Sequence, residues 1–459
     1  MKILLPLLLL ASTFSLVAHS LVAQDLPDSR KQEIVIRNVN VIPMDKEQVL
    51  TNQVVIVKDG RISLIGDARM VKYGAGAWVI DGTGKYLMPG LAEMHAHVPP
   101  IDDIEPMKEV VMLFALKGVT TIRGMLGHPR HLELRSKLLS GEIIGPRLYT
   151  SGPSINGQTA NTEAAAIKMV RDQKAAGYDF LKLHPGLTVP NFNAIVQTAK
   201  EVNIPFAGHV SFQVGVWRAI DAGYASIDHM DGFVESLVPG FEKMTEQQTG
   251  LFATFIGHQA DTSRIPALMK GLRDHHIWVV PTQALAERWI SPDKTPEALS
   301  QEPEMIYMTP NTLTNWVNTK KGLQSNPQYK PAEVRQFVEI RRKLIYACQK
   351  NGVGILLGSD APQIFDVPGF SLHHELQYLV DAGLTPYEAL RTGTVNPATF
   401  FKREDAGVIR SGALADLVLL NSNPLTNISA TQDIEGVCLA GRWLNKEYIQ
   451  QGLKKLEKK

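Results

Sequence analysis

Two hydrophobic periods divide the chain. Near its start, Glu33–Ile42, Gln53–Lys58 and Arg61–Gly66 are short stretches rich in Val and Ile that read as strands. Lys58-Asp59-Gly60 supplies a hairpin turn between the last two. Short strands follow at Val79-Ile80 and Lys85–Met88, and the same look returns at the far end in Asp416–Leu420 and Gly436–Trp443. The leading β region is too small to hold a core alone. Both ends are therefore predicted to join in one small β-sandwich, with the middle of the chain inserted in it.

The middle has a different rhythm. Short apolar strands at Thr120–Arg123, Arg147–Thr150, Phe180–Leu183, Pro205–His209, Ser226–His229, Trp278–Pro281 and Ile355–Gly358 alternate with stretches of helical spacing, among them Thr162–Ala176, Asn191–Val202 and Phe337–Asn351. Repeated β-then-α units argue for a parallel sheet in an α/β fold. With the strand that ends at His97 they number eight, enough to close a (β/α)8 TIM barrel. Residues 286–335, rich in Pro, Thr, Glu and Asn, read as a long excursion over the barrel mouth. The predicted division is 1–23 leader, 24–88 first part of the sandwich, 89–403 barrel, and 404–459 second part.

The leader assignment rests on Met1-Lys2, an apolar run from Ile3 to Leu10, and small residues around Ser20 and Ala23, the layout of a cleaved signal peptide. The run is short for a membrane span. Export to a periplasm or the medium is the expectation, with no membrane association after cleavage. A net charge of +1 over 459 residues gives no electrostatic reason to expect nucleic acid as a partner. Only Cys348 and Cys438 are present. Two cysteines make no disulfide framework, and both read as buried structural residues.

Chemistry is concentrated at strand ends. In Met88–His97, Glu93 interrupts an apolar run that ends in His95 and His97. Residues i and i+2 of a strand share a face, so the two imidazoles can converge on one divalent cation. Lys182 stands inside the apolar strand of Asp179–His184. Burial disfavours an ammonium. Either the amine loses its proton and takes up CO2 as a carbamate, or it reaches solvent or pairs with Asp179. His209 and His229 each close a strand, and Asp360 follows Gly358-Ser359. Each has an ordinary explanation as a packed histidine or a helix cap.

Together, His95, His97, Lys182, His209, His229 and Asp360 resemble the ligand set of the amidohydrolase superfamily. The similarity is to its imidazolonepropionase-related, prolidase-like group, and it extends through Leu384–Leu390, Thr394–Pro397, Gly412–Val418 and Asn423-Pro424. The resemblance implies two divalent cations, zinc by default. His95, His97 and Asp360 would hold one and His209 and His229 the other, with carboxylated Lys182 bridging them. It implies an enzyme that cleaves an amide bond of a dipeptide or N-acyl amino acid by a metal-bridging hydroxide. Asp360 would be its catalytic residue, taking the proton and passing it to the leaving amine.

The implied partner is a small-molecule substrate, and relatives often form homo-oligomers. Rival readings are a lactone, ester or phosphotriester hydrolase on the same site, or a barrel that has lost catalysis. Two features depart from the prolidase-like pattern. Gly124 follows Arg123 where aspartate is usual. His184, two residues after Lys182, either faces the site or packs under the following Pro-Gly turn. His128, His131, His258, His275, His276, His373 and His374 read as surface or helix residues.

Overall fold

The computed structural model describes residues 32–458; the leader predicted at 1–23 lies outside the described residues. Five strands open the fold: β1 (Ile34–Val41), β2 (Leu50–Lys58), β3 (Arg61–Asp67), β4 (Trp78–Asp81) and β5 (Tyr86–Pro89). Seven short ones follow, each before a helical or turn segment: β6 (Leu91–Ala96), β7 (Val119–Gly124), β8 (Arg147–Thr150), β9 (Leu181–Leu183), β10 (Phe206–Gly208), β11 (Ser226–Asp228) and β12 (Trp278–Val280). Three more end the chain: β13 (Leu417–Leu420), β14 (Ile434–Leu439) and β15 (Arg442–Asn445).

The two termini do join, but in one mixed sheet rather than the expected sandwich of two. Its order is β15-β14-β13-β5-β1-β2-β3, with β4 beside β1. The junction is a backbone ladder, β13 antiparallel to β5, so the ends meet edge to edge. The sheet then curls over itself. Ile62 N donates to Ala413 O and Ala415 N to Gly60 O, both at 2.9 Å. One face encloses Ile36, Val55, Leu419 and Trp443 in a single apolar cluster. The predicted strand Gly436–Trp443 is a hairpin, with Ala440 and Gly441 at φ 48° and 82° between β14 and β15. Two successive left-handed residues match the twist of the flanking strands, a signal hidden in an Ala-Gly pair.

The middle forms two parallel sheets, β6-β7-β8 and β9-β10-β11-β12. Single bridges cross the seam between them, Ser151 to Phe180 and Ile155 to Leu183. The predicted eighth strand, Ile355–Gly358, is not a strand. Ile355 bridges Val279, and Leu357 O accepts from Met94 N at 2.8 Å. Leu357 N, however, turns outward to Thr392 O at 2.9 Å, in helix Pro386–Gly393, which takes a ladder bond away. The arrangement is consistent with an eight-membered barrel, without a continuous ladder around it.

The helices follow their caps. Thr162 caps Glu163–Ala176 and Gly177 ends it in the left-handed region. Thr188 caps Val189–Glu201, and Pro331 starts Pro331–Lys350 well before the predicted onset at Phe337. The 286–335 excursion is largely helical. Thr295-Pro296 and Thr309-Pro310 open helices Pro296–Ser300 and Pro310–Gln324 as cap-and-proline pairs. Lys320 ties its longer helix back to its own start, donating to the carbonyls of Arg288, Trp289 and Ser291. Trp316 packs edge-on to Phe365, just beyond Asp360. Cys348 and Cys438 are free and buried in different clusters.

Candidate metal centre

Strand β6 is buried along its whole length. Its alternation turns His95 and His97 to one side, with rings 5.5 Å apart. Glu93 serves as a tether. Its Oε1 accepts from His95 N and Ser359 N at 2.9 Å each, and its Oε2 from Ser359 Oγ at 2.5 Å. That clasp sets the segment carrying Asp360 against β6. Burial pushes the Glu93 carboxyl up to about 8. Asp360 Oδ1 then lies 2.7 Å from His97 Nε2 and 3.2 Å from His95 Nε2.

Lys182 comes from β9 and is wholly buried. Its Nζ is 3.3 Å from His95 Nε2 and 3.9 Å from Asp228 Oδ2. It neither reaches solvent nor meets Asp179, which accepts from Arg135 and from Thr150 N at 2.8 Å each. Burial lowers the ammonium to about 8. Gly208 makes room for the lysine: a Cβ there would stand 2.6 Å from Lys182 Cδ, on a backbone at φ 119°. His209 and His229 complete the ring, with centroids 4.3 Å apart, and His229 lies 4.5 Å from His95. All six predicted residues converge. His184 faces them as well, 5.3 Å from the His209 ring, with Nδ1 2.8 Å from Ser154 Oγ.

A second set of groups orients the first, and sequence reasoning passed over most of it. Asp231 Oδ2 accepts from His209 Nδ1 at 2.8 Å. Thr282 Oγ1 donates to Pro281 O and so accepts from His229 Nδ1, at 2.9 Å. Both rings thus carry their proton on Nδ1 and present a lone pair on Nε2. Asp228 Oδ2 lies 2.9 Å from His95 Nδ1. Asp228 is itself gripped by Ser226 Oγ and by wholly buried Arg123, which also donates to Met94 O. The Asp228-His229-Met230-Asp231 motif was visible in the sequence, but nothing local says which aspartate serves which histidine. Gly124, at the end of β7, has no side chain to offer. His131 and His373 lie in helices but are buried away from the centre, on Pro99 O and between Thr431 and Lys117.

The residues fit divalent cations on three counts. His229 Nε2 is buried and has no hydrogen-bond partner, and Asp360 Oδ1 crowds two imidazoles without hydrogen-bond alignment to either. Donor atoms of His95, His229 and Asp360 lie within 4.8 Å of one another. Burial also holds His95 and His229 well below the usual imidazole range, neutral as a ligand must be. His229, Thr282 and Asp360 sit on left-handed backbone, at φ 61°, 46° and 70°. Such strain costs about 1–3 kcal/mol per residue and gathers at functional sites. Glu302, Glu304 and His374 form another close group, but Arg288 already occupies it, 2.5 Å from Glu302 and 3.3 Å from Glu304.

The model of the amidohydrolase family matches residues 86–444. The chain belongs to that family. The amidohydrolase match runs from β5 through the centre to β15, so it takes in both sheets' contributions. Among curated proteins, this amidohydrolase is 24% identical over 422 residues to ochratoxinase of Aspergillus niger, covering 86% of this chain and 83% of that one. Among solved structures, bottromycin amidohydrolase superposes with a TM-score of 0.68 at 21% identity, over 92% of this chain and 90% of that one. A Xaa-Pro dipeptidase with bound methionine in its active site gives 0.64 at 19%, over 90% and 100%.

Proposed function

We propose that this amidohydrolase cleaves the amide bond of a dipeptide or N-acyl amino acid with the help of two divalent cations, zinc by default. His95, His97 and Asp360 would hold one, His209 and His229 the other, and Lys182, carboxylated on Nζ, would bridge them. The two parallel sheets are read as arcs of one eight-strand barrel, closed through Ile355–Leu357. Export follows from the leader reading of residues 1–23.

When bound, such cations polarise a carbonyl oxygen and lower the pKa of water. The chain's own residues do the rest. Lys182, whose ammonium burial lowers to about 8, loses that proton, attacks CO2 through Nζ and releases a second proton to become an anionic carbamate. Asp231 and Thr282 hold the imidazoles of His209 and His229 in the tautomer that leaves Nε2 free. Asp360 takes the proton of the attacking water on a carboxylate oxygen and returns it to the amide nitrogen as that leaves. Glu93 and Ser359 keep Asp360 in register with His95 and His97 while it does so.

One observation carries this reading: His229 Nε2 and Asp360 Oδ1 are buried among the four other proposed ligands and lack hydrogen-bond partners. The test is metal content by mass spectrometry, with a panel of dipeptides, N-acyl amino acids, lactones and aryl phosphotriesters. About two equivalents per chain and hydrolysis confined to amides support the proposal. No bound metal, or turnover of lactones or phosphotriesters alone, overturns it.

A further inference from the structure

The centre opens on one side into a cavity of about 600 Å3 whose inner wall is His209 and Asp231. We propose that this cavity receives a substrate side chain and selects a cationic one, an ammonium or guanidinium on an apolar stem; the substrate role rests on the hydrolase reading above.

The wall chemistry carries the argument. Asp231, Glu235 and Glu246 line the cavity, and among the described lining residues there is no lysine or arginine. Between them stand four aromatic rings, Phe212, Phe241, Phe252 and Phe255. Ring faces attract cations through their quadrupole, and adjacent carboxylates add to that attraction. An anionic side chain would meet three carboxylates. A neutral aliphatic one would fit the rings but leave Glu235 Oε2 without a partner.

Glu235 is 8% exposed, and its Oε2 has no hydrogen-bond partner. Burial pushes its carboxyl up to about 7. Arg341, whose charge acts on Glu235, does not line the cavity. Its guanidinium donates to Gln283 Oε1, His229 O and Pro281 O.

The cavity and the centre share one strained wall. Phe252 and Ala253 are consecutive non-glycine residues at φ 55° and 65°. That backbone stacks the Phe252 ring on His229, with centroids 5.4 Å apart and planes inclined by 20°. A ring fixed there touches both the candidate ligand and the incoming side chain. The 286–335 excursion adds Leu323 and Asn326 to the rim.

The test uses the zinc-loaded full chain with Gly-Xaa and Xaa-Gly dipeptides in which Xaa is lysine, arginine, norleucine or glutamate. In one series kcat/KM for lysine or arginine is expected to exceed that for norleucine by about tenfold or more, with glutamate poorest. Glu235→Gln should shrink the lysine-to-norleucine ratio severalfold. Glu246→Lys, a reversal at an exposed position, should shrink it too and does not disturb the core. Calorimetry of n-pentylammonium against 1-pentanol reads the same preference without turnover.

Norleucine cleaved as well as lysine, or an unchanged ratio in both variants, overturns the cavity assignment and leaves the hydrolase reading intact. No cleavage of these dipeptides or of N-acetylated lysine, arginine, norleucine and glutamate, with pentylammonium bound more tightly than pentanol, overturns the hydrolase reading and keeps the cation preference. Neither cleavage nor preference overturns both.

Discussion

The terminal sheet and the candidate centre are built on opposite terms. In the sheet, Ile36, Val55, Leu419 and Trp443 face one another, the backbone is paired in ladders, and the charges stay at the margin, as in Arg61 with Asp405. In the centre, Glu93, Arg123, Lys182 and Asp228 are wholly buried, and three residues stand on left-handed backbone. Burying charge costs far more than burying hydrocarbon gains, so such a cluster persists only where the rest of the fold holds it. The lesson is a division of labour: apolar packing supplies stability that the centre consumes.

Substitutions can break or sharpen that contrast. The largest effect is expected from Asp360→Asn, which removes the proton acceptor and should lower kcat by about 10^2–10^4-fold. Steady-state kinetics beside thermal unfolding checks it, and an unchanged kcat would contradict the assigned role. Leu419→Ala is its mirror image in the sheet. It should destabilise by about 2–5 kcal/mol in denaturant titration while leaving kcat near its starting value.

Thr282→Val tests whether orientation matters apart from ligation. Losing the acceptor of His229 Nδ1 should weaken metal retention by about 10–100-fold in chelator competition. Lys182→Met sharpens the contrast from the other side. It should cut the metal content from about two equivalents to at most one, yet leave the metal-free chain as stable or slightly more so, because a buried charge is replaced by a thioether stem.

The smallest effect belongs to the margin of the sheet. Hydrogen bonds from Arg403 and Arg61 hold the Asp405 carboxyl down at about 2. A depressed folded-state value stabilises above the unfolded value, near 3.8, and that contribution is lost as pH falls toward 2. Asp405→Asn should therefore cost at most about 1 kcal/mol at pH 7, with the difference from the parent closing between pH 4 and pH 2 in denaturant titrations.

How far all this was legible differs by residue. His95, His97, Lys182, His209, His229 and Asp360 announce themselves because each sits in or just after a short apolar run, and such runs are read locally. The strand positions were legible for the same reason, apart from Gly436–Trp443, which hides a hairpin turn, and Ile355–Gly358, whose Leu357 N–H bonds to a helix end. The sandwich was misread because alternation says which face is apolar, not whether two edges will pair. Glu93 was visible as an interruption, but its partner Ser359 lies 266 residues away. Thr282, 53 residues from His229, gave no signal at all.

By itself the sequence determined the kinds of donors, their order along the chain and the strands that carry them, because these depend on residue chemistry and on a period of two or 3.6 residues. Tertiary structure decided which nitrogen of each imidazole is free, which carboxylate grips which ring, and which buried atoms are left without a hydrogen bond. Those outcomes depend on ångström distances between residues far apart in the chain, and the linear order of residues carries no such distances.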